Sequence, residues 1–396
     1  MTKAVLISGA GIAGLAAALA LSRAGARVDV VERADHLMAE GAGVQLGPHV
    51  TRILRAWGLQ DALNQAAVLP QYLRARDARD GRVVGEVALS HSAQRYGAPH
   101  VCIHRADLQA LLWQAAQQEA RVHWHWGQSL QSVQQTANHV SVRSDGGQTW
   151  RVDGLVVAEG IGSALRRHVL GDGAVTPTGH VALRALVPMT DVPLSLRSCD
   201  VQVWMGVDFH LVHYPVRGAH WLNLVLVLNR PDAMLDSGWN GKGDAAWVQQ
   251  AVGRSCAALR DVVGAVPEWR YWVLADRPPM ASASEMAQGR VALVGDAAHP
   301  MRPYLAQGAG MSIEDAAALQ MAWQGQSSES LAAAWQAMAD IRWQRVARVQ
   351  SQSRRNGRIF HSTGLQRWGR NLALQALGAR LMDPAWLYGG GPVPAP

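Results

Sequence analysis

Cysteine is scarce in this chain: there are three in 396 residues, Cys102, Cys199 and Cys256, and no two form a Cys-x-x-Cys pair. That scatter argues against a disulfide framework and a thiolate metal site and points to a reducing, cytoplasmic setting. No apolar run approaches the ~20 residues that a membrane-spanning helix requires, so no integral membrane contact is expected. The first ten residues show no basic leader ahead of a cleavable apolar stretch, and a mature, unsecreted protein is expected. Charged residues are few, 17% against 49% hydrophobic, the balance of a globular protein and not of a disordered one. No internal repeat or low-complexity segment calls for a repeat architecture.

What the chain has in excess is positive charge, a formal +7 from 37 basic and 30 acidic residues. Much of it falls near the C-terminus, on Arg342, Arg345, Arg348, Arg354, Arg355 and Arg358. These arginines have helical spacing, with glutamine and serine between them and few aromatics. They read as a solvated helix face, and no nucleic-acid partner is expected. The field would still favour anionic small molecules.

The N-terminus carries the clearest motif. Residues 3–8 (KAVLIS) form a short apolar strand, followed by Gly9, Gly11 and Gly14 in the pattern GxGxxG, and an Ala/Leu-rich helix to about Arg23. Gly25 ends the helix, and residues 27–31 (RVDVV) make the next strand, ending at Glu32. A lone GxGxxG is weak evidence; inside a complete strand–helix–strand unit it predicts a dinucleotide site. The first glycine allows the tight turn, the second the approach of a pyrophosphate, and the third close packing of helix on strand. The helix N-terminus would hold the phosphates, and Glu32 the ribose hydroxyls.

From about 175 to 272, β-type runs alternate with turns, which predicts an antiparallel sheet in a second domain. Helices then dominate to about Gly378, and the Pro/Gly-rich end (GGGPVPAP) reads as a loose tail. Before those helices, residues 290–319 (RVALVGDAAHPMRPYLAQGAGMSIEDAAAL) form a second glycine-rich turn. A strand ends at Gly295-Asp296, a loop carries Pro300, and Gln307-Gly308 opens a helix expected to start near Met311. Asp296 could accept hydrogen bonds from sugar hydroxyls, and the helix N-terminus favours negative charge above it.

This segment resembles the second FAD motif of the class A aromatic hydroxylases, the p-hydroxybenzoate hydroxylase-like flavoprotein monooxygenases, nearest to the salicylate and 3-hydroxybenzoate hydroxylases. The resemblance covers nearly the whole chain. Gly9, Gly11 and Gly14 with Glu32 and Arg33 match the ADP-binding motif; residues 41–48 (GAGVQLGP, with Gln45) resemble a flavin-contacting loop; residues 104–108 match the segment whose arginine, here Arg105, lies near FAD. Residues 386–389 resemble a C-terminal signature of the salicylate-type members. A motif of the form A-D-G-x-x-S-x-x-R reads here Ala158, Glu159, Gly160, Ser163 and Arg166, with glutamate for the usual aspartate. That motif is assigned a part in FAD and NAD(P)H interaction, so the change bears on reduction or on nicotinamide preference. Asp296, Pro300, Gly308 and Ala309 complete the implied cofactor set.

The fold the resemblance implies is α/β: a Rossmann-type FAD-binding domain with an inserted antiparallel-sheet substrate domain and a C-terminal helical segment. The expected bounds are 1–72, 100–173 and 278–345 for the discontinuous FAD-binding domain, 73–99 and 174–277 for the substrate domain, and 346–396 for the helical segment and tail. The implied chemistry is reduction of FAD by NADH or NADPH, addition of O2 at flavin C4a, and delivery of an electrophilic oxygen from that hydroperoxide to a small aromatic substrate. A homodimer is also implied.

A free phenol has a pKa of roughly 10, so a neutral-pH enzyme needs a proton acceptor beside it. Residues 208–215 (DFHLVHYP) supply one. On a strand His210 and Tyr214 share a face and His213 takes the other. A similar His-x-x-x-Tyr-Pro segment lines the pocket of 3-hydroxybenzoate-type members, making His210 the expected acceptor and Tyr214 an orienting hydroxyl. Tyr304 is a weaker pocket candidate, and His299 reads as structural. His100, Cys102 and His104 alternate on one strand without a further cluster, so no metal is expected. The open alternatives are a larger polycyclic or quinone-type ring, a related flavin-dependent reductase, or a flavoprotein that binds without turnover.

Overall fold

The structure, a computed structural model, describes residues 2–38, 41–231, 240–325 and 330–394. Its first layer is a six-stranded sheet in the order Ala287–Gln288, Val291–Leu293, Gly154–Val157, Ala4–Ser8, Arg27–Val31, Val122–His125. All neighbours are parallel except the first pair. Ala4–Ser8 is central and buried because its apolar run is covered on both faces. The helix Ile12–Arg23 is alanine- and leucine-rich and buried almost all round. It packs against the equally small-residue-rich helix Gly308–Gln324. Gly25, at φ +98°, turns the chain after it, and its N–H bonds Ser22 O at 2.9 Å.

The second layer is an eight-stranded sheet: Asn240–Lys242, Arg270–Asp276, Thr176–Pro188, Trp221–Asn229, Phe209–Val216, Val201–Met205, Tyr72–Asp77, Val83–Ala88. It is antiparallel apart from the pair Val201–Met205 and Tyr72–Asp77, which is parallel. One face, carrying Leu183, Phe209, Leu211 and Leu224, forms an apolar core with Val248 and Val252 of helix Ala245–Val252 and Leu259 and Val262 of helix Ala257–Gly264. The other face turns toward the first layer. A small antiparallel pair, Gly43–Leu46 with Val101–His104, bridges the two. No helix among the described residues is long and apolar enough to cross a membrane.

The C-terminal part corrects three expectations. The arginine-rich helix, Leu331–Phe360, is not a solvated face throughout: Arg342 is fully buried. Its Nε donates to Asp315 at 2.8 Å, and its Nη1 to Glu314. Arg345 binds the same Glu314 at 2.7 Å, and Arg354 binds Asp276 at 3.0 Å. Carboxylates on the neighbouring helix hold Arg342 and Arg345, and one at the end of strand Arg270–Asp276 holds Arg354, which alternation with glutamine and serine does not reveal. The tail is docked, with Pro392 and Pro394 buried. Arg52 donates to the carbonyls of Tyr388 and Gly390, each at 2.8 Å; residues 395–396 lie outside the described residues. Finally, the helix expected near Met311 begins at Gly308.

Candidate active site

The three fingerprint glycines occupy three different environments. Gly9 has φ +103°, and a Cβ there would sit 2.6 Å from Ala158 O; a Cβ on Gly14 would be 1.8 Å from Gly9 O. Gly11 has nothing within 4 Å. The first and third are therefore closed by packing, and the second opens onto the crevice at the strand ends, where a phosphate can approach backbone. Glu32 fixes this turn: it accepts from Ala10 N at 2.6 Å and Ala34 N at 3.0 Å. A carboxylate has further lone pairs for sugar hydroxyls. Arg33 beside it is exposed.

Gln45 lies on the bridging strand Gly43–Leu46, and Arg105 opens the helix Arg105–Gln117. A Cβ on Gly41 would sit 2.9 Å from the Arg105 side chain, and Arg105 N donates to Ala42 O at 3.0 Å, so the start of loop 41–48 is packed and hydrogen-bonded to Arg105. Glu159 accepts from Ser8 Oγ at 2.6 Å, Ser163 Oγ at 2.7 Å and Leu165 N at 3.2 Å. It thereby ties two strand ends to the helix Ala164–Leu170, while Gly160, at φ +75°, faces open space.

On the opposite wall, Asp296 sits in the turn Gly295–Ala297. Its side chain keeps open surface yet is surrounded by protein, and that enclosure pushes its carboxyl above the ordinary range. Gly308, at the start of helix Gly308–Gln324, lies beside it: a Cβ there would be 3.9 Å from Asp296 Oδ1. Gly308 and Ala309 are half-buried first-turn residues, whose N–H groups have no intrahelical acceptor. Pro300 is buried, and its carbonyl accepts from Gln350 at 3.3 Å. His299 is held by Asp315 at 2.6 Å, inside the ion network of Arg342. These residues fit a flavin dinucleotide. Gly11 leaves backbone uncovered between the packed Gly9 and Gly14, Gly160 is likewise open, and the Asp296 carboxylate lies beside a helix N-terminus.

The sheet face above carries the candidate substrate-side residues. His210 and Tyr214 share it, as their spacing requires, and both are buried. His213 faces the apolar core and accepts from Trp204 Nε1 at 3.0 Å. Burial drives His210 well below an ordinary histidine, with the nearby His361 and His180 adding to the effect. It is therefore a neutral imidazole, able to accept a proton at one nitrogen. Its Nδ1 contacts His361 Nε2 at 2.9 Å. Tyr304 packs 5.1 Å from the His210 ring, and its hydroxyl bonds His180 Nδ1. Tyr214 is raised above an ordinary phenol by burial. It packs against the backbone of Gly43, where a Cβ would be 2.6 Å from its ring. Asn223 Oδ1 accepts from Gly43 N at 2.6 Å, which joins the loop 41–48 to this sheet.

Sequence reasoning missed Arg184. It lies on the same face, paired in register with Val225, which pairs with Val212. It is thus level with the residue midway between His210 and Tyr214. Protein encloses it, which lowers its pKa, with Tyr214, Arg105 and Asp296 nearby, yet its Nε has no hydrogen-bond partner. Its guanidinium lies 4.8 Å over the Trp272 ring. The signal was present: one arginine inside the apolar strand run VALRALV. His361 and His180 had no such signal, because remote segments bring them to His210.

The family described as FAD binding domain matches residues 2–349. The 3-hydroxybenzoate 6-hydroxylase of Polaromonas naphthalenivorans (strain CJ2) is 35% identical over 97% of this chain and 95% of its own. The 6-hydroxynicotinate 3-monooxygenase of Bordetella bronchiseptica (strain ATCC BAA-588 / NCTC 13252 / RB50) is 32% identical over 89% and 91%. Among solved structures, a salicylate hydroxylase substrate complex superposes with a TM-score of 0.82 at 24% identity, over 98% of this chain and 96% of that one. CtdE in complex with FAD and a substrate gives 0.85 at 20% identity, over 98% and 95%.

Proposed function

This chain belongs to the FAD binding domain family and is an FAD-dependent monooxygenase acting on a small aromatic substrate; from that premise we propose that its substrate is a carboxylated phenol or hydroxypyridine of the hydroxybenzoate type. The observation that carries this reading is the pairing, on one sheet face, of an enclosed and unpartnered cation, Arg184, with a buried neutral imidazole, His210. They stand two strands apart, roughly 10 Å between backbones. FAD, when bound, supplies the oxygen chemistry, drawing on NAD(P)H and O2.

Gly11, Glu32, Asp296 and the N-terminus of helix Gly308–Gln324 would hold the dinucleotide, with Arg33, Gln45, Arg105, Glu159, Gly160, Pro300 and Ala309 shaping its surroundings. Arg184 binds the ring carboxylate through its free guanidinium edge, an interaction strengthened by low local dielectric. His210 Nε2 accepts the phenol proton, which increases electron density on the ring. Tyr214 orients the ring against loop 41–48, and Tyr304 closes the side toward the C-terminal helices and excludes water.

The test is NAD(P)H oxidation by the FAD-loaded protein against 3-hydroxybenzoate, salicylate, 6-hydroxynicotinate and unsubstituted phenol, with products identified by mass. A carboxylated ring that stimulates oxidation and gains one oxygen, with phenol far weaker, is the expected result. Equal turnover of phenol, or turnover only of uncharged polycyclic rings, would remove the role of Arg184.

A further inference from the structure

The His210–His361 contact joins the buried site to a half-buried imidazole that comes from a different part of the chain. His361 is the residue that ends helix Leu331–Phe360, and three features hold it there. Gly357 lets the helix pass the Tyr304 ring, where a Cβ would be 2.7 Å away. Asn356 Nδ2 donates to Tyr304 O at 3.2 Å, and Ser353 Oγ to Arg302 O at 2.6 Å. Arg370, from helix Gly364–Met382, donates to the carbonyls of Ile359 at 3.3 Å and Phe360 at 3.0 Å. His210 is fully enclosed, whereas His361 keeps surface to solvent, so the pair spans from the interior to the outside.

Resting on the reading of His210 as the proton acceptor, we propose that His361 is the outlet through which His210 exchanges protons with solvent. In this step the phenol O–H breaks and its proton bonds to His210 Nε2. The Nδ1 proton of His210 passes to His361 Nε2, and the Nδ1 proton of His361 passes to water. One proton leaves for each phenolate formed, and both imidazoles end neutral in the opposite tautomer. Return of a proton along the same path to the dihydroxylated product restores the starting tautomers. His361 acts through His210 and does not itself touch the ring.

The surroundings suit a conduit more than a store. Burial holds His361 at about 4, with His180 and Arg370 contributing, so neither imidazole retains the proton near neutral pH. The charged and titratable groups around the pair are His180 on strand Thr176–Pro188 and Tyr304 on the turn Pro303–Leu305. Arg370 lies on helix Gly364–Met382, and Arg302, Asp208 and Asp276 surround His180. Among the described residues none of these groups hydrogen-bonds His210; His361 does, at 2.9 Å.

The experiment mixes FAD-loaded protein with 3-hydroxybenzoate in weakly buffered solution containing a pH-indicator dye and follows proton release in a stopped-flow instrument. The wild type is expected to release a proton on binding. His361→Ala is expected to slow that release roughly a hundredfold with unchanged affinity for the ring, and added imidazole to restore it. His361→Gln, which keeps a hydrogen-bonding side chain beside His210 but carries no proton, is expected to remain slow without imidazole. Wild-type release rates in either variant would overturn the outlet, as would slow release that imidazole does not restore. His210→Ala separates the two ideas. If that variant or the wild type shows that release does not depend on His210, the acceptor reading falls; if release depends on His210 and not on His361, only the outlet falls.

Discussion

At the scale of single residues, the proposed site rests on two side chains whose pKa burial lowers alike, with different outcomes. Burial leaves His210 neutral and receptive, while Arg184 remains a cation without a protein acceptor at Nε. Arg184→Met keeps the packing over Trp272 and removes the charge. We expect KM for the aromatic acid to rise by roughly ten- to a hundredfold, from the loss of charged hydrogen bonds worth about 1.5–3 kcal/mol, with FAD retention unchanged. Steady-state kinetics beside flavin absorbance checks both halves, and an unaltered KM would remove the carboxylate role. His210 and Tyr214 were legible because a strand's alternation places them together. Arg184 was legible in principle, as a charge in an apolar run. His361 was not, since residues 210 and 361 meet only through the packing of a 30-residue helix.

At the scale of elements, the fingerprint glycines make a sharp comparison. Gly14→Ala would force a Cβ to 1.8 Å from Gly9 O, whereas Gly11→Ala meets nothing within 4 Å. Gly14→Ala is therefore expected to lower Tm and abolish FAD binding, because helix Ile12–Arg23 must lift off its strand. Gly11→Ala should fold normally and lose FAD affinity alone, as its methyl group enters the phosphate approach. Thermal denaturation of the apoprotein with an FAD titration distinguishes them, and equal Tm values would contradict the packing argument. The strand–helix–strand unit was readable because its glycines, strand ends and acid lie within one short stretch. The C-terminal helices were not, because Arg342 is buried and Arg345 half-buried against Glu314 and Asp315 on another helix, and residue spacing alone carries no information about a partner of that kind.

At the scale of the whole molecule, packing of the tail over the first layer buries ionisable groups far from the chemistry. His49 and His100 both lie under Tyr388, and burial lowers each from 6.5 to about 4. The unfolded chain therefore binds protons more readily than the folded one. Their stabilising contribution is complete above about pH 6.5 and is lost as pH falls toward 4, by up to about 3 kcal/mol for each. Denaturant midpoints should drop across that window, and His49→Gln should flatten the drop; a flat profile in the wild type would contradict it. The molecule as a whole sets a flavin-type crevice against the sheet face that bears Arg184 and His210. The most direct test is the ratio of hydroxylated product to NAD(P)H consumed, in the wild type and in His210→Ala, with the same aromatic acid. A yellow variant that still consumes NAD(P)H but forms roughly a hundredfold less product, beside a wild type near one to one, is the predicted result; full hydroxylation by His210→Ala would contradict the account.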